Sequence, residues 1–118
     1  MILFLRCIFG CILLTMLGVT IWASGLCAVW QVPQAVVTHP WFIATLFDCY
    51  FGFLTFYAWL CYRETAWLSR ISWLIAILLF GNIAMASYLL ITLFRLPIHA
   101  TIEQVLLRPT KPPVAPLV

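Results

Sequence analysis

Charge is what this chain has least of. Six Lys and Arg and three Asp and Glu make up 8% of its 118 residues, against 66% hydrophobic ones. Soluble domains are usually about 25% charged and about 45–50% apolar. So few charges cannot cover this much apolar surface in water, and a bilayer is the consistent solvent. The only lysine is Lys111 and there is no run of basic residues, which excludes a nucleic-acid surface. The five cysteines, Cys7, Cys11, Cys27, Cys49 and Cys61, are odd in number and contain no CxxC. A secreted disulfide framework is therefore excluded, and they read as small, polarisable packing residues. There is no G-x-S-x-G and no histidine inside an apolar run, so a hydrolase would lack its nucleophile and base.

Long apolar runs are what the chain has instead. They cover about 7–29, 41–62 and 69–94. A helix needs about 20 residues to cross the ~30 Å hydrocarbon core, so each is long enough. His39-Pro40 suits a helix start, because proline lacks only a donor that would be unpaired there. Pro97 closes the third run. Trp30 and Trp41 mark one interface and Trp67 the other, with Trp59 and Trp73 about two turns away, as an aromatic belt requires. Short connections force neighbouring helices antiparallel. The expected fold is all-α, an integral membrane bundle of three antiparallel transmembrane helices within 1–97.

The remainder differs in composition. Thr101-Ile102-Glu103-Gln104 has capping-box spacing, and Ile102, Val105 and Leu106 can form one apolar face. Residues 98–108 are therefore expected as a short amphipathic helix on the membrane surface. PTKPPVAPLV, 109–118, reads as a disordered, extended Pro-rich tail.

The expected location is a bacterial inner membrane, multi-pass. Arg6 before an apolar stretch resembles a signal peptide, but the run continues through Val29, which favours a retained helix. With three spans, Arg6, Arg63 and Arg70 face one side and Arg95, Arg108 and Lys111 the other. Arg63 and Arg70 flank one short loop while the other loop has no basic residue, which favours a cytoplasmic N-terminus and an external C-terminus.

Asp48 is the only acid inside an apolar run. A carboxylate at a spanning-helix centre costs about 2.5–3.5 kcal/mol, so something must satisfy it. Counted from a hairpin turn near Ala66, Asp48 and Asn82 fall at similar depth on adjacent helices, where the amide could donate to the carboxylate. Thr45, Asp48, Gly52, Thr55, Trp59 and Tyr62 form one stripe at helical spacing. Cys11, Thr15, Gly18, Trp22 and Gly25 form a second, and Gly81, Ala84 and Tyr88 a third. The candidate intramembrane polar site is Asp48, Asn82, Thr45, Thr55 and Tyr88. Gly18, Gly25, Gly52 and Gly81 are the expected helix contacts. Two meanings stay open: a polar clamp fixing helix register, or a site for an ion, a proton or a small polar ligand.

Other chemistry is weaker. His39 and His99 fall on the same expected side but outside the spans, unsuited to haem. Cys7, Cys11 and Cys61 could approach a soft metal, but packing explains them more simply. No cofactor, metal or catalytic residue is expected. Arg63-Glu64 reads as a solvated pair or a headgroup contact.

The stretch from His39 to Pro97 carries P-W-F-x-A-T-L-x-D-x-Y-F-G-F-L-T-F-Y, W-x-x-Y-R-E, G-N-I-A-M-x-x-Y and L-F-R-L-P. It resembles the domain-of-unknown-function family numbered 1475, small membrane proteins of bacteria and plants. V-T-I-W-A-S in the first run also fits. Thr45, Asp48, Tyr50, Gly52, Glu64, Gly81, Asn82 and Tyr88 stand at family-type positions. The resemblance implies a membrane protein with an Asp48–Asn82 core, and no assigned activity. The expected role is a non-enzymatic accessory or scaffold subunit in a homo-oligomer or larger membrane complex. The alternative is a small transporter or ligand-binding protein using Asp48, and a membrane enzyme comes third.

Overall fold

The computed structural model describes residues 1–108. The elements are α1 (Ile2–Leu26), a 3-10 turn (Val29–Gln31), α2 (Gln34–Val37), α3 (Pro40–Arg63), α4 (Trp67–Phe80), α5 (Asn82–Arg95) and α6 (Ile102–Leu106). No strand occurs among the described residues. The Pro-rich tail expected over 109–118 lies outside them.

Two helices are long and apolar enough to cross a membrane, α1 with 25 residues and α3 with 24. The start of α3 follows the His39-Pro40 signal. Pro40 opens the helix, and His39 Nδ1 accepts from the Trp41 amide at 3.2 Å. That satisfies one amide the first turn would otherwise leave orphaned.

The third apolar run is not one helix, which corrects the expectation of a continuous 69–94 span. It breaks at Gly81, whose φ of 56° and ψ of −122° lie outside the range of L side chains. Trp73 and Tyr88 are 15 positions apart, and their rings meet edge-on at 5.0 Å. On one straight helix they would be about 22 Å apart. α4 and α5 therefore fold back on each other. Each has 14 residues, about 21 Å, shorter than the ~30 Å hydrocarbon core.

α5 is the central element. One side packs against the first half of α1, where Leu5, Phe9, Leu13 and Met16 are half-buried. The start of α1 lies beside the end of α5, so the two run antiparallel. Ile2 and Leu93 close this contact with Ala100 and Val105 from the C-terminal segment. The other side of α5 gives Ala84 and Tyr88 to a second core with Leu60 of α3 and Ile77 of α4. The capping box forms, with the Thr101 amide donating to the Gln104 side chain at 3.1 Å. α6 buries Val105 against the protein, while Ile102 and Leu106 stay exposed.

This fold-back gathers the arginines at one end. Arg6 donates to the carbonyls of Leu93 and Leu96, both at 2.9 Å. Arg63 donates to the carbonyls of Gln104, Val105 and Leu107, and Arg108 to that of Tyr62 at 2.7 Å. Arg70 Nε reaches the Glu64 carbonyl at 2.9 Å, and Arg95 ends α5. The common cause is helix-end chemistry. The last carbonyls of α3, α5 and α6 lack intrahelical partners and carry the negative pole of the helix dipole, so guanidinium groups settle there. The expected separation of Arg95 and Arg108 from Arg6, Arg63 and Arg70 is therefore corrected. His39 and His99, expected on one side, lie at opposite ends.

Candidate functional site

The most organised polar cluster stands at this arginine-rich end. Tyr88 is 3% exposed. Its ring meets Phe56 at 6.1 Å, Trp59 at 5.9 Å and Trp73 at 5.0 Å, all edge-on, the arrangement that aromatic quadrupoles favour. The packing aims the hydroxyl at Glu64, and it donates to Oε1 at 2.9 Å. Ser69 Oγ donates to Oε2 of the same carboxylate, also at 2.9 Å. Tyr57 donates to the Arg70 carbonyl at 3.0 Å. One carboxylate thus joins the end of α3, the start of α4 and the middle of α5. Glu64 is half-buried here and accepts from Tyr88 and Ser69, which corrects the solvated-pair alternative for Arg63-Glu64.

Tyr88→Phe should lower stability by about 1–3 kcal/mol, since it leaves one oxygen of a half-buried carboxylate without its donor. Unfolding in mild detergent measures this. A loss below ~0.5 kcal/mol would mean that water replaces the hydroxyl and that the triad contributes little.

A cavity of about 480 Å³ opens beside this triad, walled by Arg63, Ser69, Trp73, Tyr88, Thr92 and Arg95 among others. A second cavity of about 680 Å³ adjoins it and shares Arg63, Leu96 and Arg108. Arg63 is 9% exposed, unusually buried for an arginine.

The residues singled out from sequence lie elsewhere, except Tyr88. Asp48 and Asn82 are both exposed and have no side-chain hydrogen bond among the described residues, so the expected amide–carboxylate pair is absent within this chain. Phe53 lies against Gly81, and Asp48 sits five positions further from the arginine-rich end. The fold-back therefore ends below it. Thr45 and Thr55 donate to the Trp41 and Phe51 carbonyls four residues back, at 2.8 and 2.9 Å, which satisfies each within its own helix. Tyr88 bonds to Glu64, not to the Asp48 face. α3 buries Phe53, Phe56, Tyr57 and Leu60 instead of the small polar stripe.

The glycines expected at helix contacts also fall differently. Nothing lies within 4 Å of a Cβ built on Gly18, Gly25 or Gly52, whereas one on Gly81 would meet Phe53 Cζ at 2.8 Å. Gly81 is thus a turn and a close approach, and the other three are open within the chain. No three His, Cys, Asp or Glu side chains gather as a metal site among the described residues.

Sequence reasoning missed the Glu64–Tyr88 bond because the two are 24 positions apart and only the fold-back joins them. A signal existed. Gly81-Asn82 is a turn-favouring pair in the middle of a run that divides into two short halves.

A family model described as a protein of unknown function (DUF1475) matches residues 1–111, and the chain belongs to that family. No curated protein matches the chain, and no solved structure does.

Proposed function

We propose that this DUF1475 member is an integral membrane protein working as a non-enzymatic accessory or scaffold subunit of a larger assembly. α1 and α3 cross the bilayer, and α4–α5 enters and leaves by one face as a re-entrant pair. Two 14-residue helices are too short to span. Five arginines at one end favour a cytoplasmic location for that end, the N-terminus and residues 96–108 by the positive-inside rule.

The observation that carries the subunit reading is the exposure of Asp48. It lies about 12 Å into α3 from Pro40, at hydrocarbon depth, with no hydrogen-bond partner among the described residues. Exposure of that carboxylate to lipid would cost about 2.5–3.5 kcal/mol, and a donor from another helix removes the cost. Gly52, one turn from Asp48 on α3, leaves adjoining surface low enough for a second backbone to approach. A carrier using Asp48 would need the residue enclosed along a path, and one chain leaves it on an open face.

Differently tagged copies, co-purified in mild detergent, test this and separate self-association from a foreign partner. Asp48→Leu should weaken the assembly by about 1–2 kcal/mol, the worth of a polar contact between membrane helices. It should leave the unfolding of the chain unchanged, because Asp48 is exposed and its side chain makes no hydrogen bond among the described residues. Recovery of the wild-type protein only as a monomer would defeat the subunit reading.

A further inference from the structure

We infer that the cavity between α3, α4 and α5 is a binding site for a phosphate-type anion. Arg63, Arg95 and Arg108 line it, and Glu64 is its only acid. That is three positive groups against one negative, in a chain with nine charged residues altogether (six Lys and Arg, three Asp and Glu). The one acid is already engaged, since both its oxygens accept from Tyr88 and Ser69.

The guanidinium groups keep donors free. Arg63 is nine-tenths buried, yet all its bonds to the C-terminal segment leave from one nitrogen, Nη1. Among the described residues Arg108 uses only Nε, on the Tyr62 carbonyl. Arg95 makes no side-chain hydrogen bond among the described residues. Planar forks of N–H donors match phosphate oxygens, often two bonds at a time. Thr92 adds a hydroxyl to the same wall. Beside a bilayer the effective dielectric is low, so uncompensated positive charge attracts an anion more strongly than it would in open water.

A volume of about 480 Å³ admits a phosphate group with a glycerol attached. Two sources share this chemistry: the headgroup of an anionic phospholipid and free inorganic phosphate. The inference is independent of the Asp48 face, which lies in the opposite half of α3, so either can fail alone.

The test uses the full chain in mild detergent, with native mass spectrometry and Trp fluorescence as readouts, since Trp73 lines the cavity. The probes are phosphatidic acid, phosphatidylcholine and inorganic phosphate. Phosphatidic acid should saturate at one molecule per chain and bind at least tenfold tighter than phosphatidylcholine, by charge-assisted contacts. Arg95→Gln should weaken it roughly tenfold without loss of fold, because Arg95 holds no other group.

Arg70→Gln removes the same charge at the same end but outside the cavity, and should leave binding within about twofold. Saturable binding of inorganic phosphate that Arg95→Gln weakens, without preference for the lipid, also supports the site and assigns the free anion as its source. Equal losses from Arg70→Gln and Arg95→Gln, or no saturable binding of either anion, would overturn the proposal and leave only general surface attraction.

Discussion

Gly81→Ala is expected to be among the most destabilising single-methyl additions in this protein, while Gly52→Ala should make the single chain slightly more stable. At Gly81 the backbone has φ of 56° and ψ of −122°, a region essentially closed to residues with a Cβ. Forcing one into it costs on the order of 1–3 kcal/mol. The new methyl would also meet Phe53 Cζ at 2.8 Å, and overpacking costs a further ~1–3 kcal/mol. At Gly52 a Cβ meets nothing within 4 Å, and alanine in a helix interior gains about 0.5–1 kcal/mol over glycine. The two substitutions therefore have opposite signs. Denaturant unfolding in mild detergent reads both. A double-mutant cycle with Phe53→Ala separates the steric part, which that change relieves, from the backbone part, which it cannot. If Gly81→Ala behaved like Gly52→Ala, the third apolar run would be one continuous helix and the fold-back would be wrong.

The second large effect is the side of the membrane on which residue 99 resides. Cys27 follows α1 at the end opposite the arginines and is exposed. Thr65 and His99 are exposed at the arginine-rich end. With the other four cysteines changed to serine, a membrane-impermeant thiol reagent on intact cells should label Cys27 almost completely. Thr65→Cys and His99→Cys, each in a chain with Cys27 also replaced, should be labelled only after permeabilisation. Three simple spans would instead expose His99→Cys together with Cys27. The physical reason for the expectation is charge. A third span would carry Arg95 and Arg108 to the far side, whereas the fold-back keeps all five arginines on the face where the positive-inside rule wants them.

The orientation problem shows how far the sequence could be read. Counted along three spans, basic residues divide three against three, and only loop chemistry breaks the tie. That near-balance holds only if 69–94 is one unbroken helix. Trp67–Phe80 and Asn82–Arg95 are each strongly apolar, so hydropathy alone joins them. The break rests on one residue whose conformation no periodicity reports. The start of α3 was legible because a cap is local: His39 and Trp41 are two positions apart. So was the Thr101–Gln104 box. The partners of Glu64 were not legible for the opposite reason, since Ser69 and Tyr88 come from two different helices.

The same distinction explains the misplaced core. Thr45, Asp48 and Gly52 do lie on one stripe of α3, as their spacing requires. Which stripe is buried depends on what packs against it, and the short α4–α5 pair reaches only to Phe53. There Phe53, Phe56 and Leu60 face the pair, and Thr45, Asp48 and Gly52 stay exposed.

By itself the sequence determined the helical class, two runs apolar enough to cross a bilayer, the start of α3 at Pro40 and the membership in its family. These follow from composition, run length and neighbours within a helical turn. Only the tertiary structure decided that the third run turns back at Gly81, that Tyr88 serves Glu64, and that the five arginines share one end and three of them one cavity. Each of those depends on contacts between positions far apart in the chain, and one glycine's backbone angles set which of them meet.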